Sequence, residues 1–185
     1  MSTNTVTAET RILTSTDINY NSQHVDVVTV IGMGKLGLPM AAFYARSGYK
    51  VYGLDINGEL IERLLIKQDI GDLLNNEPGL KKSLDTYKVE FTSLYSVCIP
   101  VSDIIVILVE TPVNPSDGLH NLSPLFKCVG MIKKHIHDKK PIVCITSTVL
   151  PGTAERVQAE FSDKAVLVSQ PSLVAIGNLF NQLLN

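Results

Sequence analysis

Residues 25–55 run VDVVTVIGMGKLGLPMAAFYARSGYKVYGLD, and three textures follow one another within them. Val25–Ile31 is a short β-branched run ending at Gly32, which reads as a strand. Leu36–Ser47 reads as a helix that stops at Gly48, a residue suited to the left-handed position after a helix. Tyr49–Leu54 is a second strand, closed by Asp55. Strand, helix and strand within about 30 residues make the parallel βαβ unit.

The turn between the first strand and the helix is Gly32-Met33-Gly34-Lys35-Leu36-Gly37, a G-x-G-x-x-G pattern. In this context each glycine has a task. Gly32 makes the tight turn, Gly34 lets the backbone approach a pyrophosphate, and Gly37 lets the helix pack close to the strand. The helix N-terminus offers free N–H groups and a positive partial charge to phosphate, so Met33, Lys35 and Leu36 join the candidates through their backbone. The Lys35 side chain either approaches the phosphates or points into solvent. Asp55 ends the second strand 21 residues after Gly34. A carboxylate there accepts from both hydroxyls of an adenosine ribose and repels a 2′-phosphate, so the expected cofactor is NAD rather than NADP. A flavin in its place, or a tight turn holding nothing, are the alternatives.

The alternation continues downstream. Asn57 caps a helix through about Lys67. Glu77-Pro78-Gly79 opens a short helix through about Tyr87, and Val89–Thr92 reads as a strand followed by a helical turn near Ser93–Val97. Ile104–Val109 is an unbroken apolar run, as expected of a central parallel strand covered on both faces. Thr111–Asn121 holds two prolines and a glycine and reads as a loop. Ser123-Pro124 starts a helix whose stripe is Leu125, Val129, Ile132 and Ile136. Ile142–Ile145 is a strand, Thr153–Phe161 a helix and Ala165–Val168 a strand. The expected class is α/β, a doubly wound and mostly parallel sheet of the Rossmann-like NAD-binding kind. Residues 25–170 form that domain, preceded by a flexible polar arm over 1–24 with nine Ser or Thr and three Asn, and followed by 171–185 as the start of a connection to a further, substrate-binding half.

Two later loops lie at strand ends, where open α/β sheets bind ligands: Glu110-Thr111-Pro112, and Thr146-Ser147-Thr148 with Pro151-Gly152-Thr153. Thr111, Pro112, Ser147 and Thr148 are candidates for the cofactor's ribose or nicotinamide amide; ordinary strand-end and capping chemistry is the alternative.

The composition bounds the rest. Lys+Arg 16 against Asp+Glu 18 leaves a net charge of −2, which argues against a general nucleic-acid binder. Cys98, Cys128 and Cys144 are far apart in apolar stretches and read as buried free thiols. Ala165–Asn185 carries no charge but holds too many polar groups to span a membrane. With no basic, apolar leader at the start, the expected location is cytoplasmic. His135 and His137 lie two apart on a helix and cannot share a metal, and no metal site is expected. With Lys133, Lys134, Lys139 and Lys140 they read as a solvated basic helix end. His24 and His120 fall in loops without evident partners, and Phe43 and Tyr44 read as packing. Leu173, Ile176, Phe180 and Leu183 form an apolar stripe that is covered by a partner chain, by self-association, or by the domain itself.

From Val25 to Gly177 the chain resembles the N-terminal domain of the nucleotide-sugar dehydrogenases that act on UDP-glucose, UDP-N-acetylmannosamine or GDP-mannose. The resemblance rests on Gly37-Leu38-Pro39-Met40-Ala41 with Asp55, on Glu77-Pro78-Gly79-Leu80, on Thr111-Pro112, and on Ser147-Thr148-Val149 with Pro151-Gly152-Thr153. It implies oxidation of a sugar's C6 alcohol to a carboxylate with two NAD, the aldehyde being held on a cysteine. By position it implies that Gly32, Gly34, Gly37, Asp55 and Thr111 bind NAD. Thr148 resembles the family threonine that positions water and cofactor near the reacting carbon, a catalytic role.

The chain departs from that family in length, and the family's catalytic cysteine, lysine and asparagine lie beyond its 185 residues. None of the three cysteines matches the nucleophile's motif. Where the family has Pro-Glu, this chain has Pro171-Ser172, and Ile176 stands where some branches place a second acid. Val174 and Gly177 are closer to the N-acetylmannosamine branch. The expectation is that this chain alone lacks the complete activity, a nucleotide sugar being its substrate only if the other half is supplied. The alternatives are an NAD-binding module or a degenerate remnant without catalysis, or the cofactor domain of a β-hydroxyacid dehydrogenase.

Overall fold

The computed structural model describes residues 26–66, 74, 77–116, 118–171 and 179–183. Along them run β1 (Val27–Ile31), α1 (Gly37–Arg46), β2 (Lys50–Leu54), α2 (Gly58–Leu65), α3 (Leu80–Thr86), β3 (Val89–Thr92), α4 (Tyr95–Cys98) with a 3-10 turn at Ile99–Val101, β4 (Ile104–Ile107), α5 (Ser123–His135), β5 (Ile142–Ile145), α6 (Thr153–Phe161), β6 (Val166–Ser169) and α7 (Leu179–Gln182). The expected arm, Lys67, and Leu173, Ser172, Val174, Ile176 and Gly177 lie outside the described residues.

The six strands form one parallel sheet in the order β3-β2-β1-β4-β5-β6. The chain reverses its progress across the sheet between β1 and β4. That is the switch point where loops diverge and leave a crevice at the strands' C-terminal ends.

Both faces of the sheet are covered, and the strands show why. On β4, Ile105 and Ile107 join one hydrophobic cluster with Tyr95, Leu125, Ile132 and Phe161 from α4, α5 and α6, whereas Val106 joins a second with Leu38, Ala41 and Ala42 of α1. The period-two alternation splits apolar residues between two cores, so the sequence reads as a continuous apolar run. The local signals act as expected: Asn57 Oδ1 accepts from the Leu60 N–H at the start of α2, and Gly48 takes φ +94° after α1.

Several boundaries shift by one or two residues: α1 spans Gly37–Arg46 rather than Leu36–Ser47, and β2 starts at Lys50 rather than Tyr49. β4 stops at Ile107 rather than Val109, and beyond its end the Val109 carbonyl accepts from the Ser147 hydroxyl at 2.7 Å. β6 runs one residue later than expected. Phe180 of the C-terminal stripe is 2% exposed, packed in the α1-side cluster with its ring beside Gly79, and its N–H donates to the buried Glu77 carboxylate at 2.9 Å. At Phe180 the cover is therefore the domain itself.

The basic helix end is solvated as expected, with Lys133, Lys134, His137, Lys139 and Lys140 all exposed, and two of its side chains also make specific contacts. Lys139 Nζ donates to Asp103 at 2.6 Å and to the Val101 carbonyl at 2.9 Å, and the His135 ring stacks on Tyr95 with centroids 6.4 Å apart. The Asp103 carboxylate also accepts the N–H groups of Asp26 and Val27 at 3.1 and 3.0 Å, and so pins the N-terminal end of β1 to β4. Burial pushes its pKa up, but the bonds from Lys139, Val27 and Asp26 outweigh burial and hold it below the usual carboxylate value. A lowered native pKa stabilises the fold above the unfolded value of about 3.9, and that stabilisation is lost as pH falls through the native value. Asp103→Asn is expected to cost about 1–3 kcal/mol at neutral pH in urea unfolding. The gap to the parent should narrow as pH falls from about 5 through the native value, and a gap independent of pH would refute the assignment.

Candidate functional site

The crevice at the switch point gathers the sequence candidates from four strand ends. Backbone bonds tie these ends together: Gly32 N–H donates to Leu54 O at 2.8 Å, Leu108 N–H to Ile31 O at 2.9 Å, and Thr146 N–H to Ile107 O at 3.0 Å. The loops after β1, β2, β4 and β5 thus form one continuous rim.

The glycine loop is built by close approach. A Cβ on Gly32 would lie 2.5 Å from the Leu108 carbonyl oxygen, and Gly32 has φ +97°. A Cβ on Gly37 would overlap the Gly32 carbonyl oxygen. Gly34 is the opposite case: it is exposed, with no atom within 4 Å of where its Cβ would stand. Over that open space the N–H groups of Gly34, Lys35 and Leu36 bond no described residue. They precede a ten-residue helix with no acid in its first turn, an arrangement that accepts an anion.

Asp55 is the second part. Its carboxylate accepts the Met33 N–H at 2.7 Å and the Asn57 N–H at 2.9 Å. Each oxygen holds one of these bonds, and each retains capacity for another donor. The acid therefore braces the glycine loop while keeping acceptor capacity on both oxygens. Met33 contributes in a different way from its neighbours. Its N–H is committed to Asp55, and its side chain is fully buried between Gly37 and Gly53. The Lys35 side chain is exposed.

On the other side of the switch point, Thr111 Oγ1 donates to the Thr148 carbonyl at 2.6 Å and joins the loops after β4 and β5. Pro112 and Thr148 are exposed on this rim. Ser147 departs from the sequence reading. It is 7% exposed and its hydroxyl is spent on the Val109 carbonyl, so it staples the loop from within rather than presenting its oxygen outward. His120, assigned no partner from sequence, proves to be part of the rim, with Nδ1 3.1 Å from the Thr111 carbonyl. Its signal was nonlocal, since nine residues and a reversal of the chain separate the two.

The three cysteines are free and buried, and Cys144 Sγ lies 3.7 Å from the Thr146 hydroxyl. Burial pushes the Cys98 thiol up to about 11 and the Cys128 thiol up to about 12, and raises Cys144 as well. At neutral pH all three are protonated and poor nucleophiles. Among the described residues no cluster of His, Cys, Asp or Glu is placed to hold a metal ion, and no helix is long and apolar enough to cross a membrane.

A parallel sheet in this strand order, a glycine loop opening a helix and an acid closing β2 together define a dinucleotide-binding domain. Residues 26–185 match the UDP-glucose/GDP-mannose dehydrogenase family, NAD binding domain. The chain belongs to this family and carries its NAD-binding domain. It is 32% identical over 132 residues to the UDP-N-acetyl-D-mannosamine dehydrogenase of Pyrococcus horikoshii, covering 70% of this chain and 30% of that protein. A solved UDP-glucose dehydrogenase from Pyrobaculum islandicum superposes with a TM-score of 0.74 at 27% identity, covering 88% of this chain and 39% of that one. A 3-hydroxyisobutyrate dehydrogenase of Mycobacterium tuberculosis shares the fold alone, with a TM-score of 0.57 at 14% identity. The family match sets aside the β-hydroxyacid dehydrogenase alternative. The matched part of the chain thus spans between 30% and 39% of the length of these nucleotide-sugar dehydrogenases.

Proposed function

We propose that the rim from Asp55 to Thr148 is the NAD half-site of a nucleotide-sugar 6-dehydrogenase, within a cofactor unit spanning residues 25–170. The observation that carries this is the Asp55 carboxylate bonded to the Met33 N–H at 2.7 Å, which joins the ribose-reading acid to the phosphate loop. In this reading Asp55 accepts the adenosine ribose hydroxyls, and the N–H groups of Gly34, Lys35 and Leu36 take the pyrophosphate. Thr111, Pro112 and Thr148 border the nicotinamide end. When bound, NAD supplies a hydride acceptor for the carbon being oxidised. The chain's own residues hold it in register and keep an acidic oxygen where a 2′-phosphate would have to sit. With its hydrogen donated to the Thr148 carbonyl, Thr111 Oγ1 is left as an acceptor towards the crevice, suited to an amide N–H.

The full reaction is the four-electron conversion of a C6 primary alcohol of a UDP- or GDP-sugar to a carboxylate. It needs a covalent nucleophile, and none of the buried, protonated cysteines here serves. These 185 residues alone are therefore read as binding NAD without making the sugar acid. Calorimetric titration of the chain tests this. Saturable NAD binding, at least about tenfold tighter than NADP, is expected, together with no UDP-sugar acid after incubation with NAD and UDP-N-acetylmannosamine or UDP-glucose. A folded chain that ignores NAD would overturn the reading, and formation of the acid would overturn its second half.

A further inference from the structure

The segment after β4, expected from its prolines and glycine as a plain loop, folds back on itself. Val113 and His120 pair as an antiparallel bridge. Asn114 N–H donates to Leu119 O at 2.8 Å, Gly118 N–H to Asn114 O at 2.9 Å, and Asn121 N–H to Pro112 O at 2.8 Å. The result is a small hairpin standing on the rim, with exposed Val113 and Leu119 and half-buried His120 at its base. His120 Nδ1 lies 3.1 Å from the Thr111 carbonyl. A carbonyl oxygen only accepts, so this contact selects an imidazole that carries its hydrogen on Nδ1. Thr111 is thereby gripped twice: its carbonyl by the His120 ring, and its hydroxyl by the Thr148 carbonyl at 2.6 Å.

We propose that His120 is a positioning residue for the nicotinamide end of the site, acting through the Thr111 peptide to aim Thr111 Oγ1 and the Thr148 loop. The proposal rests on the NAD half-site reading. It differs from a general stabilising role in one respect. The Asp55 and glycine-loop side of the site is built on other loops, whereas among the described residues His120 holds Thr111 and pairs with Val113, so the effect of His120 is confined to one end of the ligand.

The test uses NAD and ADP-ribose, which lacks only the nicotinamide, as calorimetric ligands for the 185-residue chain and for His120→Ala and His120→Phe. Phenylalanine keeps a ring of similar volume without the donor, and guards against a variant that fails through a cavity. The expected result is NAD binding about five- to tenfold weaker in both variants, the size of one lost hydrogen bond, with ADP-ribose binding unchanged within about twofold and thermal melting close to the parent. Equal weakening of both ligands would show a merely structural residue and overturn the proposal. NAD binding unchanged in either folded variant would do the same. If the parent chain binds neither ligand, the half-site reading itself fails and the proposal falls with it, an outcome visible before any variant is made.

Discussion

Replacing Gly37 by alanine is expected to remove NAD binding and lower the melting temperature together. The added Cβ would overlap the Gly32 carbonyl oxygen, a backbone atom held by φ +97° and by the neighbouring Leu108 carbonyl. Neither side of that contact ends in a flexible side chain. Relief requires α1 to move off the sheet, but α1 is seated by Leu38, Ala41, Ala42 and Ala45, all buried. Overpacking of this kind costs about 1–3 kcal/mol or more, which corresponds to a drop of roughly 2–12 °C for a chain of this size. The same movement carries away the N–H groups that face the open space over Gly34. Gly34→Ala is the internal comparison. Nothing lies within 4 Å of its Cβ, so melting should hold or rise slightly, while NAD binding weakens because the methyl group occupies the approach to the pyrophosphate. Differential scanning fluorimetry with calorimetric titration of the two variants separates fold from site. Equal melting losses at both positions would refute the packing argument.

Asp55→Ala carries the second large effect. Two charge-assisted bonds to the ribose hydroxyls are lost, each worth about 1.5–3 kcal/mol, so NAD affinity should fall by about 100-fold or more. The preference over NADP should disappear with the negative charge. Because Asp55 also accepts the Met33 and Asn57 N–H groups, the alanine variant leaves the glycine loop unbraced. Asp55→Asn divides the two roles. Its amide oxygen can still accept from Met33, so melting should stay nearer the parent, while the loss of charge removes the discrimination against NADP. Retained NAD preference in a folded Asp55→Asn chain would mean that the acid does not read the ribose.

The loop of Gly32 to Gly37 and the acid at Asp55 were legible because their chemistry is local. Each glycine answers to a turn or a contact within one βαβ unit, and the acid follows at the length of one helix and one strand. The same holds for the helix over Thr153–Phe161 and the strand over Ile142–Ile145, which fall where periodicity placed them. For Ser147 the sequence left a cofactor contact and ordinary strand-end chemistry both open. A hydroxyl at a strand end reads as available in sequence, but the Val109 carbonyl, left without a ladder partner at the end of β4, draws it inward. His120, Asp103 and Glu77 carried no interpretable local signal for their contacts. Their partners lie on other elements: the Thr111 peptide, the N-terminal end of β1 with Lys139, and the Phe180 N–H of α7.

Sequence alone therefore determined the strand and helix alternation, the parallel sheet, the glycine loop and the position of the acid bonded to it, since hydrophobic period and glycine spacing are properties of neighbouring residues. The tertiary structure alone decided which polar groups face the crevice and which are spent inside the protein. A hydrogen bond formed across the sheet depends on where two distant carbonyl and donor groups meet, and no spacing along the chain encodes that meeting.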